Sequence, residues 1–240
     1  MTAGSTPAAP PPSKRDAVID ALMRLAADRP WSDIELIDIA EEAGVTLAEF
    51  RDLFPSKGAV LAGFSRRIDR EVLNGTTDDL KDEPARERVF DVMMRRIDAL
   101  APYKKALRRI VSALREDPFA LAALNRVGLN SQRFMLAAAG ISTEGRLGRL
   151  KLQGAVIVLS NTMQTWLEDD DPALARTMAR LDRELRRGER VLERAEDFRR
   201  LTAPLRAFAQ ALADGRNRVR RSRRRERYDD GDMSDPAAAI

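Results

Sequence analysis

Between Asp38 and Lys57 the chain reads Asp38-Ile39-Ala40-Glu41-Glu42-Ala43-Gly44-Val45-Thr46, then Phe50, then Phe54-Pro55-Ser56-Lys57. Ile39, Ala40 and Ala43 fall at helical spacing, so they share one face of a short helix. Gly44 follows directly, where a helix end needs a residue tolerant of left-handed backbone angles. Thr46 is placed to cap a second short helix, with Leu47, Phe50 and Phe54 turned inward. Two short helices joined by a tight glycine turn make a helix-turn-helix, whose second helix can enter the major groove of DNA. Such a unit points to gene regulation rather than catalysis.

Composition supports that direction by exclusion. The 240 residues include no His and no Cys. Zinc sites of the common kinds, disulfides, and Ser-His or Cys-His nucleophile pairs are therefore not available. There is no P-loop pattern, and Gly145, Gly148 and Gly154 lack dinucleotide spacing. Asp and Glu are scattered at the spacing of solvated faces. The expectation is a protein that is not an enzyme and has no catalytic residue, metal or cofactor. No run of 18 apolar residues is present to cross a membrane. Thr2 to Ser13 is rich in Pro and Ala, carries no charge and lacks the form of a signal peptide. Together with the lack of Cys this reads as a cytoplasmic chain.

Helical periodicity dominates, and no alternating strand stands out. The reading is all-α, with about ten helices. A fourth helix opens at Ser56-Lys57 and runs to about Asn74, and Gly75 to Glu83 reads as a loop. Glu83-Pro84, Asp117-Pro118 and Asp171-Pro172 each place an acidic cap before a proline at the first helical position. They predict helices near 85–100, 118–139 and 172–195. Others are read over 103–115, 145–167 and 203–214. The domain reading is a disordered tail over 1–13 and a helix-turn-helix head over 14–64. A helical dimerisation and ligand-binding domain follows over 65–214, then an Arg-rich disordered tail over 215–240.

The segment from Lys14 to Phe64 resembles the TetR family of bacterial regulators. The resemblance rests on a first helix with Ala17, Leu22 and Leu25, a buried-looking Trp31, the Asp-Ile-Ala and Ala-Gly-Val runs, and the Phe-Pro-Ser-Lys exit. It implies a homodimeric DNA-binding transcriptional repressor that presents two recognition helices to an operator. Its implied DNA-binding residues are Thr46, Leu47, Glu49, Arg51, Asp52 and Lys57. Arg51 can read guanine or grip phosphate, and Glu49 can accept from a cytosine amine. Lys57 matches the family lysine that contacts phosphate at the next helix start. The same charges also suit a solvated surface helix. Residues 14–64 hold six basic and ten acidic groups, so this head is net −4.

Residues 86 to 200 are similar to the C-terminal domain of ubiquinone-biosynthesis accessory proteins. The likeness lies in the run Arg88 to Tyr103, in Ala139-Gly140-Ile141-Ser142-Thr143, and in Leu181-Asp182-Arg183. This implies a second reading, a TetR-fold protein that binds lipid or quinone precursors at a membrane without sequence-specific DNA binding. Phe119, Phe134, Met135, Met163 and Trp166 are candidates to line a cavity for a small apolar effector. Leu150, Val156, Ile157 and Leu159 suit a dimer interface or the core. Leu201, Leu205, Phe208 and Leu212 form an apolar stripe, and eight Arg against one Glu follow over 216–227. That last helix and the Arg tail could make a peripheral membrane contact. The favoured alternative is that the helix packs on its own domain and that the tail makes non-specific contact with nucleic acid.

Overall fold

The computed structural model describes residues 13–75, 80–145, 147–195 and 197. It divides into two units, parting between Glu189 and Arg190. Among the described residues every regular element is helical, as the periodicity indicates. No helix among them is long and apolar enough to cross a membrane.

The first helix, α1 (Lys14–Asp28), starts where the Ser13 hydroxyl accepts the Asp16 amide at 3.1 Å. Val18, Ile19, Leu22, Met23 and Ala26 give it one buried face. It stops at Arg29 because Pro30 forces the preceding residue into extended backbone. A short 3-10 turn at Trp31–Asp33 leads into α2 (Leu36–Glu42). Glu35 and Asp38 cap α2 reciprocally.

The turn from α2 to α3 (Leu47–Leu53) has a specific backbone origin. Gly44 sits at φ +67°, its amide donates to the Glu41 carbonyl, and the Val45 amide reaches the Ala40 carbonyl. That pair of bonds closes a helix end in the Schellman manner. Ala at position 44 would meet nothing within 4 Å, so its cost would be backbone strain alone. Gly44→Ala should therefore lower stability by about 1–2 kcal/mol. A denaturation midpoint that stays put would show that the turn can relax without glycine.

The fourth helix, α4 (Lys57–Asn74), is capped by Ser56, whose hydroxyl accepts the Ala59 amide. Gly63 allows it to lie close to its neighbours. A Cβ there would stand 2.8 Å from Phe54 Cε1 and 3.3 Å from Ile19 Cδ1. Then follow α5 (Ala85–Leu100), a 3-10 turn at Ala101–Tyr103, α6 (Lys104–Leu114), α7 (Pro118–Ala138) and α8 (Gly148–Glu168). A further stretch, α9, is helical from 175 and continues through 189. In the second unit the described residues, 190–195 and 197, are helical. The expected helix at 203–214 and both expected tails lie outside the described residues, apart from Ser13.

The three acidic-proline starts come out differently. Asp117 caps α7 as predicted, its carboxylate accepting the Phe119 and Ala120 amides. Pro84 is itself the capping residue of α5, and the Glu83 side chain makes no cap bond. Asp171 holds only a turn, by accepting the Ala173 amide. Leu174 then takes φ 51°, which postpones the helix to 175. Asp169 takes over at this start, accepting both the Thr177 amide at 2.9 Å and its hydroxyl at 2.7 Å. Those bonds hold its carboxyl below the usual range.

One apolar core joins the helix-turn-helix to the helices beyond it. It includes Leu22, Ile39, Phe50, Phe54, Phe64 and Ile68, together with Ile97, Ile110, Met135 and Trp166. α1 packs on α6, and α4 packs on both α5 and α7. α4 is continuous through residue 64, so the head is built on the same helix that enters the second core region. A smaller cluster around Met93, Leu136, Leu152, Val158 and Leu181 ties α5, α7, α8 and α9 together. At the crossing of α4, α5 and α7 lies a buried polar knot. Asp69 accepts from the Arg96 guanidinium and from the Ser131 hydroxyl, and Arg96 also donates to Ser65.

Candidate nucleic-acid interface

Of the predicted DNA-facing residues, Thr46, Leu47, Arg51 and Asp52 are exposed on the α3 region, while Glu49 and Lys57 are engaged within the fold. Thr46 caps α3 by accepting the Glu49 amide, and the Glu49 carboxylate accepts the Thr46 amide at 2.8 Å. Each side chain thus satisfies an amide that the helix start leaves open. Phe50 and Phe54 are buried beneath α3, as their spacing predicts. Leu47 is not. It is 49 % exposed, while Val45 from the turn packs against the core. Trp31 is half-buried rather than buried, with the Lys57 ammonium 4.6 Å above its ring.

The exposed face of the α3 region carries Thr46, Leu47, Ala48, Arg51 and Asp52. Glu49 is drawn aside. Its carboxylate also takes the Lys14 ammonium at 2.5 Å, and the Lys14 and Thr46 bonds pull its pKa down to about 2. Against an ordinary value of 4.5, this carboxylate favours folding above that value. The benefit fades as pH falls from about 4.5 towards about 2. The stability difference between the natural chain and Glu49→Gln should therefore shrink on acidification from about pH 6 to about pH 3. A difference that does not change with pH would remove Glu49 from the cap.

Lys57 points its donors inward. Its ammonium donates to the Trp31 carbonyl at 2.9 Å and the Ile34 carbonyl at 2.7 Å. Partial burial pushes its pKa down, against the raising pull of Asp38 and Glu35. It fastens the segment before α2 to the start of α4. The other head cations are also engaged. Arg15 lies 4.2 Å over the Phe54 ring and donates to the Leu53 carbonyl. Arg24 pairs with Glu42 at 2.7 Å. Arg29 pairs with Asp38 at 3.2 Å and donates to the Asp33 carbonyl. Arg51 makes none of these contacts.

The five proposed effector-cavity residues are not brought to one place. Phe119 is 88 % exposed and Phe134 is 49 % exposed. Met135 and Trp166 are buried in the main core, with Met163 packed against it. Phe134 and Met135 are adjacent on one helix and so face directions about 100° apart. Phe119 belongs to the first turn of α7 and is turned outward, while its neighbour Ala120 packs against the core. A surface cleft of about 270 Å³ lies elsewhere, lined by Arg88, Asp91, Val92 and Arg95 of α5, by Ala137 to Gly140, and by Leu80 and Lys81. Arg88, Asp91, Val92, Arg95, Ala139 and Gly140 stand out in the sequence only through the second family resemblance, and nothing local marks them as lining a cleft. Arg88, for one, reaches across to the Ala139 carbonyl, 51 positions on, which no local pattern signals.

The architecture matches solved structures. The crystal structure of a TetR transcriptional regulator from Nitrosomonas europaea ATCC 19718 is similar, with a TM-score of 0.59. At 24 % identity the match covers 73 % of this chain and 97 % of that one. The chain has the TetR fold. A TetR transcriptional regulator from Rhodococcus sp. RHA1 is also similar, with a TM-score of 0.52 and 17 % identity over 73 % of this chain and 94 % of that one. No family model matches the sequence, and no curated protein matches it. Within the TetR fold the short pair α2 and α3, capped and closed by Gly44, is the helix-turn-helix that the sequence predicts.

Proposed function

We propose that this chain is a homodimeric transcriptional regulator, a repressor, that binds operator DNA through α3 and is released by a small apolar effector. The observation that carries this reading is the exposed α3 surface, where Leu47, Ala48, Arg51 and Asp52 face outward over a helix fixed at both ends. Arg51 would read guanine or hold phosphate, while Leu47 and Ala48 would meet thymine methyl groups. Thr46 and Glu49 set the start of α3, and Lys57 holds the helix-turn-helix to α4. The TetR fold supports the reading, since the similar structures are those of transcriptional regulators.

A second copy would dock on α8, whose Leu150 and Ile157 are exposed two turns apart. Val156 and Leu159 are only partly buried beside them. Two heads would then reach successive major grooves, about 34 Å apart. The effector would bind among the helices of the C-terminal region, and its binding would shift the population between head spacings. Ile157→Glu should yield monomers in sedimentation equilibrium. A dimer of unchanged strength would move the interface off α8. A photo-crosslinker at Ala48 should capture duplex DNA, and the same group at Glu41 on α2 should not. Equal capture at both positions would displace α3 as the reading helix. The lipid-handling reading stands second, favoured by a head that carries net negative charge.

A further inference from the structure

DNA is a polyanion, and proteins that bind it draw most non-specific affinity from Lys and Arg that displace counterions from phosphates. The head of this chain cannot supply that charge. Of its six cations, Lys14, Arg24 and Arg29 each sit 2.5 to 3.2 Å from a carboxylate and so present no net charge. Lys57 gives two of its three donors to carbonyls and Arg15 lies against Phe54 and the Leu53 carbonyl, so both keep their charge but are held in the fold, within a head whose carboxylates outnumber its cations. Arg51 is the one cation of the head with no protein partner among the described residues, and its neighbour Asp52 is exposed and acidic. Surface ion pairs are weak and can exchange partners. Exchange does not help here, because each released lysine or arginine leaves its carboxylate facing the same phosphates.

The sequence concentrates the missing charge in one other place. Residues 216–227 hold eight Arg and one Glu, a net of 8 − 1 = +7, against −4 for residues 14–64. We propose that DNA recognition in this chain is divided: α3 reads base edges with little electrostatic help, and the eight arginines of 216–227 neutralise duplex phosphates. The inference rests on the regulator reading for its first half only. Its second half concerns any duplex, whatever the sequence. Division of this kind predicts that sequence discrimination and salt dependence reside in separate segments and can be removed one at a time.

The test measures affinity for a random-sequence duplex between 50 and 200 mM salt, using the full chain, a chain lacking 216–240, and two full-length variants. In one variant all eight arginines become glutamine, and in the other lysine. About 0.9 is expected in the slope of log affinity against log salt for each phosphate neutralised. The full chain should therefore lose roughly a thousandfold or more across this range. The truncated and glutamine chains should lose about tenfold or less, and the lysine chain should behave as the full chain does. Truncation should leave the ratio of operator to random-duplex affinity the same or higher. Unchanged salt slopes in both the truncated and glutamine chains would overturn the proposal. So would unchanged slopes accompanied by loss of binding to vesicles of phosphatidylglycerol and phosphatidylcholine, which would assign the arginines to a membrane surface. Failure to select any operator would defeat the regulator reading, while the random-duplex slopes would still decide what the arginines do.

Discussion

Arg96→Met should destabilise the folded chain by about 3–5 kcal/mol. Arg96 and Asp69 are both almost fully buried, and the Arg96 guanidinium bonds the Asp69 carboxylate directly. Removing the arginine leaves a carboxylate in the interior with only the Ser131 hydroxyl, at 2.8 Å, to stabilise its charge. The loss is large because desolvation of the survivor is no longer offset. Replacing both partners together, as Asp69→Leu with Arg96→Met, should cost less than the single change, since no buried charge remains. Urea unfolding of the three chains measures this. A double variant worse than Arg96→Met would mean that the pair contributes net stability rather than mutual compensation. Either way the knot links α4, the helix that follows the helix-turn-helix, to α5 and α7.

Arg51→Ala should weaken operator binding by about 2 kcal/mol per half-site, or roughly thirtyfold, the worth of one good arginine contact to a guanine edge. Arg51 is exposed at the end of α3, and no fold contact is lost when it is removed. Stability should therefore stay level while operator affinity falls. Lys57→Met should show the opposite pattern. Its two carbonyl bonds hold the chain before α2, so thermal stability should drop by about 2 kcal/mol. Affinity for a selected operator, set beside unfolding data for the same variants, separates the roles. Arg51→Ala with undiminished operator affinity would place the readout elsewhere.

Much of this was legible in local sequence. Gly44 followed by Thr46 is a helix stop and a helix start two residues apart, so the helix-turn-helix could be placed from short-range chemistry. Asp117-Pro118 was legible for the same reason, since the cap bonds reach only two and three residues. The remaining features depend on residues distant in the chain. The Lys14–Glu49 pair spans 35 positions and the Lys57 clamp 23 and 26, so the engagement of the head cations has no local signature. Leu47 follows the helical period of Phe50, but as the first residue of α3 it is exposed, and Val45 from the turn packs against the core. Phe119 and Phe134 look like core by hydropathy, yet each lies on an outward face of α7, beside residues that do pack inward. Asp171-Pro172 has the form of a helix start, and the left-handed Leu174 defers it.

If α3 reads duplex sequence, the purified chain must discriminate between duplexes. Selection from random duplex DNA by the purified full chain, followed by footprinting at physiological salt, tests it most directly. The expected result is a palindromic site with half-sites one helical turn apart, protected by the natural chain and unprotected by Arg51→Ala at the same concentration. Enrichment of no sequence, or protection that survives Arg51→Ala and disappears on deleting 216–240, would contradict it.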